Sequence, residues 1–410
     1  MRRYEAIGKA INFPGAAGDT EREDCREAEE AGGVVGMMVP RVPVGDLAEF
    51  INGVAFKPDD WEETGRRIIR IQNLTDLTKP YNRTNRIVAQ KYQVLPGDLL
   101  VSWSATLGVF VWKGPDTALV NQHIFRVVPK PGLVDAGFLK HMLENALVEM
   151  EKHLHGATMK HVNRNEFLST TIPLPPLAEQ KRIAAILDAA DALRAKRRET
   201  LAQLDTLLQS TFLDMFGDPV TNPMGWEVQP LKELGQVQTG STPPSKLEGM
   251  FGGEVPFVTP GDLKDTWTNS SRTVTIAGAK KSRTVQRGAT FVCCIGATIG
   301  KMGKAEKFSA FNQQINTVTW GPRIDDGFGL EMMKFFKEKI ATDGASTTLP
   351  ILKKSLFEKI IVLAPPLPLQ RRFATIVESV EQQKTRLRAH LTELDILFAS
   401  LQDRAFKGAL

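Results

Sequence analysis

The sequence predicts an α+β fold: two mixed α/β globular domains joined by two long coiled-coil helices, arranged as an internal repeat with pseudo-two-fold character. One observation is a repeated proline-led segment. The stretch I-P-L-P-P-L-A-E-Q-K-R-I that opens at Ile172 returns as V-L-A-P-P-L-P-L-Q-R-R-F from Val362, so that Gln180 falls on Gln370. The second is the pattern ahead of each copy, where short β-rich runs broken by turn signals are followed by one helix.

The helices come first because the rest of the chain hangs on them. At the same offset Ile183, Ile186, Leu187 and Ala190 fall on Phe373, Ile376, Val377 and Val380, and Leu201, Leu204, Leu207, Leu208 and Phe216 fall on Leu391, Leu394, Leu397, Phe398 and Phe406. Steps of three and four residues place side chains on one helical face, so each copy reads as one long amphipathic helix. Pro175 with Pro176, and Pro365 with Pro366, bias the lead-in away from helix, and Gly217 followed by Pro219 is a stop signal. About 36 residues at about 1.5 Å each make a rod of roughly 54 Å, too long for one small domain to cover, and the obvious partner is the other copy. The apolar stripe keeps an approximate heptad and drifts at mid-helix, which suits a modest supercoil or bundle. Leu187, Leu201, Leu208 and Met215, with Val377, Leu391 and Phe398, extend the apolar surface beyond a strict seam, and partner helices are expected to cover them.

The domain boundaries follow. Residues 1–40 stand outside the repeat as a poorly ordered extension, with Thr20 and Glu23 resembling a capping box for a short charged helix through Glu30. Residues 41–177 form the first globular domain, 178–217 the first long helix, 218–367 the second globular domain and 368–410 the second long helix. In the first domain Ile68 to Ile71, Leu99 to Trp103, Val109 to Trp112 and Ile124 to Val128 read as strands, and Phe138 to His153 as a helix. In the second, Val255 to Thr259, Thr290 to Cys294 and Asn316 to Trp320 read as strands, and Leu330 to Ile340 as a helix. Asn52-Gly53 answers Thr239-Gly240, A-T-L-G ending at Gly108 answers A-T-I-G ending at Gly300, and Asn121-Gln122 answers Asn312-Gln313. Between these anchors the two domains differ greatly.

Composition bounds the setting. The 410 residues are 42% hydrophobic with a net charge of +5 and a pI near 9.0, which permits nucleic-acid binding without requiring it. No apolar run approaches a bilayer span, and the N-terminus lacks the hydrophobic region of a secretory signal, so no membrane association is expected. Cys25, Cys293 and Cys294 form an odd set without metal-ligand spacing, which predicts reduced thiols and a cytoplasmic location.

Motifs of catalysis are missing from the sequence. It has no phosphate-binding glycine loop, no H-E-x-x-H, no nucleophile elbow and no Asn-Pro-Pro-aromatic motif of amino-methyltransferases. His153, His155 and His161 cluster without a carboxylate or Cys at ligand spacing, and surface polar contacts are the better reading. What the domains do offer suits DNA, because Arg and Lys match phosphates and guanine edges while Asn and Gln can bond adenine bidentately. The candidates in the first domain are Arg66, Arg67, Arg83, Asn85, Arg86, Lys160, His161, Asn163 and Arg164. In the second they are Ser241, Thr242, Lys246, Arg272, Lys280, Lys281, Arg283, Lys353 and Lys354. Lys280, Lys281 and Arg283 follow a Ser/Thr-rich stretch, Thr266 to Thr275, that reads as a surface loop. The amides of Asn121-Gln122 and Asn312-Gln313 read as structural, holding backbone turns at strand starts.

With P-L-P-P-L-A-E-Q-K-R-I and A-P-P-L-P-L-Q-R-R-F in hand, together with the paired A-T-[LI]-G and G-x-T-P-P elements, the chain closely resembles the specificity (S) subunit of type I restriction-modification systems over about residues 41–410. The second copy departs from the pattern, with Leu369 where the first has Glu179. The resemblance implies two variable target-recognition domains, each reading half of a split double-stranded DNA site, and two helices packed antiparallel. It implies no catalytic residues and no cofactor in this chain. Two methyltransferase (M) subunits would carry S-adenosylmethionine, and restriction (R) subunits would use ATP and Mg. Two other classes stay open: a stand-alone DNA-modifying enzyme, and a coiled-coil adaptor that binds only proteins.

Overall fold

The computed structural model describes residues 39–153, 163–264, 266–345 and 349–410. The expected extension, Val39 and Pro40 apart, lies outside them. The chain divides into two compact units: one runs up to Gln180 and takes in Phe406–Ala409, and the other holds Lys181–Ala405.

Among the described residues the first unit contains ten strands, β1 (Arg41–Pro43), β2 (Ala48–Asn52), β3 (Arg66–Ile69), β4 (Asn82–Thr84), β5 (Gln93–Val94), β6 (Leu99–Ser102), β7 (Gly108–Val111), β8 (Ala118–Val120), β9 (Ile124–Pro129) and β10 (Thr171–Pro173). They make three sheets, in the orders β2-β9-β6-β7, β4-β3-β8-β5 and β1-β10. The helix Ala136–His153 follows β9, close to the span the sequence predicts. Every residue of β6 is buried, which is why it reads as an unbroken apolar run rather than an alternating one. Ile69, Val94, Leu100, Trp112 and Val120 form the core around it.

The second unit repeats this plan. Its strands are β11 (Val228–Pro230), β12 (Gly235–Thr239), β13 (Phe251–Val258), β14 (Trp267–Thr268), β15 (Thr273–Val274), β16 (Thr284–Val285), β17 (Thr290–Cys293), β18 (Met302–Ala305), β19 (Ser309–Phe311), β20 (Ile315–Trp320) and β21 (Ile361–Leu363). The sheet orders β12-β20-β17-β18-β14, β15-β13-β19-β16 and β11-β21 match the first unit strand for strand, with β14 added parallel to β18. The glycine anchors explain part of the likeness. A Cβ on Gly53 would lie 2.2 Å from the carbonyl oxygen of Asn121, and one on Gly240 would lie 2.1 Å from that of Asn312, so both crossings exclude any side chain.

Two expectations in this unit need correction. The helix predicted over Leu330 to Ile340 is two helices, Asp326–Lys334 and Lys337–Asp343. The chain tightens between them, with the amides of Phe335 and Phe336 donating to Met332 and Met333, while Phe336 turns into the core. The stretch from Thr266 to Thr275 is not simply a surface loop. It contributes β14 and β15, and Thr266, Thr268 and Val274 are buried.

The long helices run over Leu177–Phe216 and Leu367–Lys407, 40 and 41 residues. Each is therefore about 60 Å, a little over the expected length. Within the second unit they lie antiparallel: Phe212 meets Phe373 with ring centroids 5.4 Å apart, Asp205 meets Lys384 at 2.7 Å, and Arg194 meets Asp395 at 2.7 Å. The first helix stops where the sequence predicts. Gly217 adopts φ 72°, and its amide donates to Leu213 at 2.8 Å.

The two lead-ins are built alike despite the exchange of Glu179 for Leu369. Gln180 is buried, its Nε2 donating to the carbonyls of Pro175 and Leu133 at 2.8 and 3.1 Å and its Oε1 accepting from the Asp135 amide at 2.8 Å. Gln370, also buried, donates to Pro365 and Arg323 at 2.7 and 3.0 Å and accepts from Asp325 at 2.8 Å.

Four of the seven apolar residues expected to meet a partner are covered within the chain itself. Leu187, Leu208, Val377 and Phe398 are buried, while Leu201, Met215 and Leu391 are half-buried. The cause is visible in the packing. Leu208 and Val377 join Phe212, Phe216, Phe328 and Phe373 in the core of the second unit, and Met215 packs against it. Phe398 lies under the Arg194 guanidinium at 4.2 Å. The drift of the stripe thus reflects burial within the chain. On the long helices Leu193, Leu207, Ile396 and Leu397 are between 49% and 67% exposed, and Leu213 is 37% exposed.

Candidate nucleic-acid interface

The first-domain candidates gather on the β3–β4 pair. Arg67 stands directly across from Arg83 and Arg66 from Thr84 in the antiparallel register, with Asn85 and Arg86 continuing from β4. Such a ribbon concentrates positive charge, yet each side chain also has a local partner. Arg66 donates to the Arg86 carbonyl and Arg83 to the Gly65 carbonyl, both at 2.9 Å. Arg67 lies 3.5 Å from Asp116 and over the Tyr81 ring, and Arg86 lies 3.5 Å from Asp60 and over Phe56. Asn85 donates from its amide and from Nδ2 to the Glu62 carboxylate, at 2.9 and 2.7 Å. These bonds, the backbone one foremost, hold Glu62 below its ordinary pKa. A guanidinium offers five N–H donors, so one or two internal bonds fix its plane and leave others for a phosphate or a base.

Asn163 and Arg164, both exposed, also have partners within the fold. Asn163 caps the helix Arg164–Ser169, accepting from Asn165 at 2.9 Å. Arg164 reaches the Phe50 carbonyl at 3.4 Å and lies over the Phe125 ring. Lys160 and His161, like His155, lie outside the described residues.

In the second domain the loop after β12 meets the loop before β16. The Arg283 amide donates to Ser241 Oγ at 2.9 Å, Ser282 Oγ donates to the Ser241 carbonyl, and Thr242 Oγ1 donates to Gln313 Oε1 at 2.7 Å. Lys280 ends the short helix Ile276–Lys280, whose cap Thr275 accepts from Gly278 at 3.0 Å, and Lys281 follows directly. The structure therefore sets half-buried Ser241 beside exposed Thr242, Lys280, Lys281 and Arg283 in one basic rim. Arg272 lies over Phe257 at 5.7 Å, Lys246 is exposed, and Lys353 precedes a short helix in which Lys354 pairs with Glu358 at 2.9 Å. Asn121 and Asn312 hold turns, accepting from the amides of Gln122 and Gln314 at 2.9 and 3.2 Å.

Sequence reasoning missed Arg70, Gln72, Arg287 and Lys304. Lys304 sits 4.2 Å from the Trp267 ring and Arg287 4.9 Å from it, in a cleft of about 550 Å³ that also holds Asp326 and Glu378. Burial pushes the Lys304 ammonium below its ordinary pKa and the Asp326 carboxyl above its own. Lys304 is 8% exposed on a strand, M-G-K-A, whose four letters carry no alternation, so no periodic signal marks it. Among the described residues no group of His, Cys, Asp and Glu could hold a metal, and no helix is long and apolar enough to cross a membrane.

Comparison with known proteins supplies a frame. Over residues 39–204 and again over 223–394 the chain matches the profile of the type I restriction modification DNA specificity domain. It is 29% identical over 172 residues to the type I restriction enzyme EcoBI specificity subunit of Escherichia coli, covering 41% of this chain and 36% of that subunit. It is 24% identical over 307 residues to the MjaIX specificity subunit of Methanocaldococcus jannaschii, covering 69% of this chain and 70% of the relative. The match thus spans about a third of the first relative's length. Among solved structures, a type I restriction-modification S subunit from M. genitalium aligns over 90% of this chain and 96% of its own, at 16% identity and a TM-score of 0.53. A chain from a type I R-M system studied for its complex assembly aligns over 90% and 98%, at 20% identity and a TM-score of 0.51. At these identities the likeness is one of fold.

Proposed function

The chain belongs to the type I restriction modification DNA specificity family, and on that premise we propose that it reads the two halves of a split double-stranded DNA site, one with each globular domain. The observation that carries this reading is the repeat itself: one order of strands occurs twice, with different exposed side chains on the two copies. A shared scaffold with divergent surfaces suits two related sites of different sequence better than one continuous surface. The β3–β4 ribbon in the first unit and the Ser241–Arg283 rim in the second supply the phosphate-binding charge.

The chain has no catalytic role of its own in this proposal. Two methyltransferase subunits bring S-adenosylmethionine, and restriction subunits bring ATP and magnesium. Partner helices rest on Leu193, Leu207, Ile396 and Leu397, in place of Leu187, Leu208, Val377 and Phe398, which are buried. The complex works in the cytoplasm, where the host DNA lies.

Reconstitution with a partner methyltransferase and mapping of methylated adenines tests the proposal. A gapped two-part motif, lost when either domain is replaced, supports it. Methylation or cleavage by the purified chain alone would favour a stand-alone enzyme, and a complex with no sequence-dependent DNA binding would favour a protein adaptor.

A further inference from the structure

At one end of the sheets of the first unit, β3 runs into the helical turn Ile71–Thr75 beside the loop that leads into β9, the Asn121 amide donating to Ile69 at 3.0 Å. Between them lies a cleft of about 150 Å³, lined by Arg70, Ile71, Gln72, Asn121, His123 and Ile124. Ile71 and Ile124 supply the apolar part of that lining and the other four residues are polar. Among the described residues the exposed Gln72 side chain has no hydrogen-bond partner, so its amide presents both a donor and an acceptor. Arg70 is already oriented, its guanidinium 5.5 Å from the Trp61 ring centroid and its Nη1 donating to Asn82 at 3.3 Å.

The turn that carries Gln72 is held from beneath. Asn73 is fully buried and satisfied, accepting from the Arg70 amide at 3.1 Å and donating to the carbonyls of Lys79 and Pro80 at 3.2 and 3.1 Å. The second unit builds the same turn over Pro260–Asp262, with Asp262 accepting from the Thr259 amide at 2.8 Å in the role of Asn73. There Gly261 occupies the place of Gln72. Asn312, the counterpart of Asn121, donates its side-chain amide to Gln314 at 2.9 Å. The support of the turn is therefore common to both units, and its outward position differs. A residue needed by the fold would show the opposite pattern.

We infer that Gln72 is a specificity-determining residue that reads an adenine edge in the half-site of the first domain, with Arg70 holding a neighbouring phosphate. Adenine presents an acceptor at N7 and a donor at N6 in the major groove, and a glutamine amide complements both at once. Arg70, with Nη1 already engaged, retains donors suited to a phosphate oxygen. The inference rests on the proposed DNA-reading function, and its test separates the two.

Full-length chain, assembled with a partner methyltransferase, is selected against a randomised double-stranded DNA library. Gln72→Ala should lower the preference for adenine at one position of one half-site by roughly 5- to 150-fold, the discrimination of one bidentate pair. Gln72→Arg should turn that position towards guanine, and Arg70→Ala should weaken all sequences alike. The half-site read by the second domain should stay unchanged, which also reports that each variant is folded. Unaltered preference at every position in both Gln72 variants overturns the role of the cleft alone. Wild-type chain that selects no sequence at all overturns the functional reading as well.

Discussion

Lys384 on the second long helix reaches Asp205 on the first at 2.7 Å while Glu381, one turn back on its own helix, holds the same ammonium at 2.6 Å. Lys384 and Glu381 are both buried, and Asp205 is largely exposed. Burial alone would lower the Lys384 pKa, but the two carboxylates outweigh it and raise it. Removing Lys384 leaves the buried Glu381 carboxylate with only Arg388, at 4.0 Å, to offset it. Lys384→Ala should therefore destabilise the second unit by about 3–5 kcal/mol in urea denaturation, whereas Lys384→Met combined with Glu381→Leu should recover most of the loss. A Lys384→Ala variant as stable as wild type would show that this charge cluster adds nothing to the stability of the helix pair.

Gln370 makes a different kind of join, from the start of a helix back to the domain that precedes it. Gln370→Ala strands the Asp325 amide and the carbonyls of Pro365 and Arg323. Three bonds at about 1 kcal/mol each put the expected cost at roughly 2–4 kcal/mol, read as a fall in melting temperature. Gln180→Ala should cost a similar amount, because its bonds are the same in kind.

For the basic rim, Lys280, Lys281 and Arg283 replaced together by Ala should weaken DNA binding at all sequences. The slope of log affinity against log salt should fall by about 0.9 for each phosphate no longer neutralised. Fluorescence titrations between low and moderate salt measure it. An unchanged slope would assign the three to solvent.

Cys294 gives a pH dependence. Burial pushes its thiol up to about 12, so the folded state keeps the proton that the unfolded chain releases at a lower pH. A group raised in this way contributes fully below its unfolded pKa, and the contribution is lost as pH rises towards the folded value. Stability should fall by about 1.4 kcal/mol per pH unit from this thiol between roughly pH 8.5 and the folded pKa, and Cys294→Ala should flatten that limb. Alkylation followed by mass spectrometry should find Cys294 protected at about pH 8 in native protein and modified after unfolding.

The repeat was legible because its parts are local and chemical: a proline pair, a glutamine, a heptad-like stripe, a glycine where two backbones cross. The match of strand orders follows from those anchors, as Gly53 and Gly240 illustrate. The side chains left exposed on the long helices were not legible. Leu208 and Val377 look like surplus apolar residues until the core around Phe212 and Phe373 is assembled from segments far apart in sequence. Arg70 and Gln72 escaped notice for a related reason. Their meaning comes from the buried Asn73 beneath them and from the loop bearing Asn121, which the spacing of residues does not reveal. Asn163 shows the converse, since a residue type suited to DNA is equally suited to capping a helix.

The short pairs β1-β10 and β11-β21 set Arg41 against Pro173 and Val228 against Leu363, so the chain leaves each globular domain where it came in. Each domain is thereby a closed detour from its scaffold, clasped at the neck by three residues on either side. Loops beyond the neck can lengthen, shorten or change composition without moving the points at which the chain continues. The architecture thus behaves as a holder with interchangeable cassettes; under the DNA-reading function proposed above, exchanging the contents between two clasps should install a new preference while the helices and their charge pairs stay as they are.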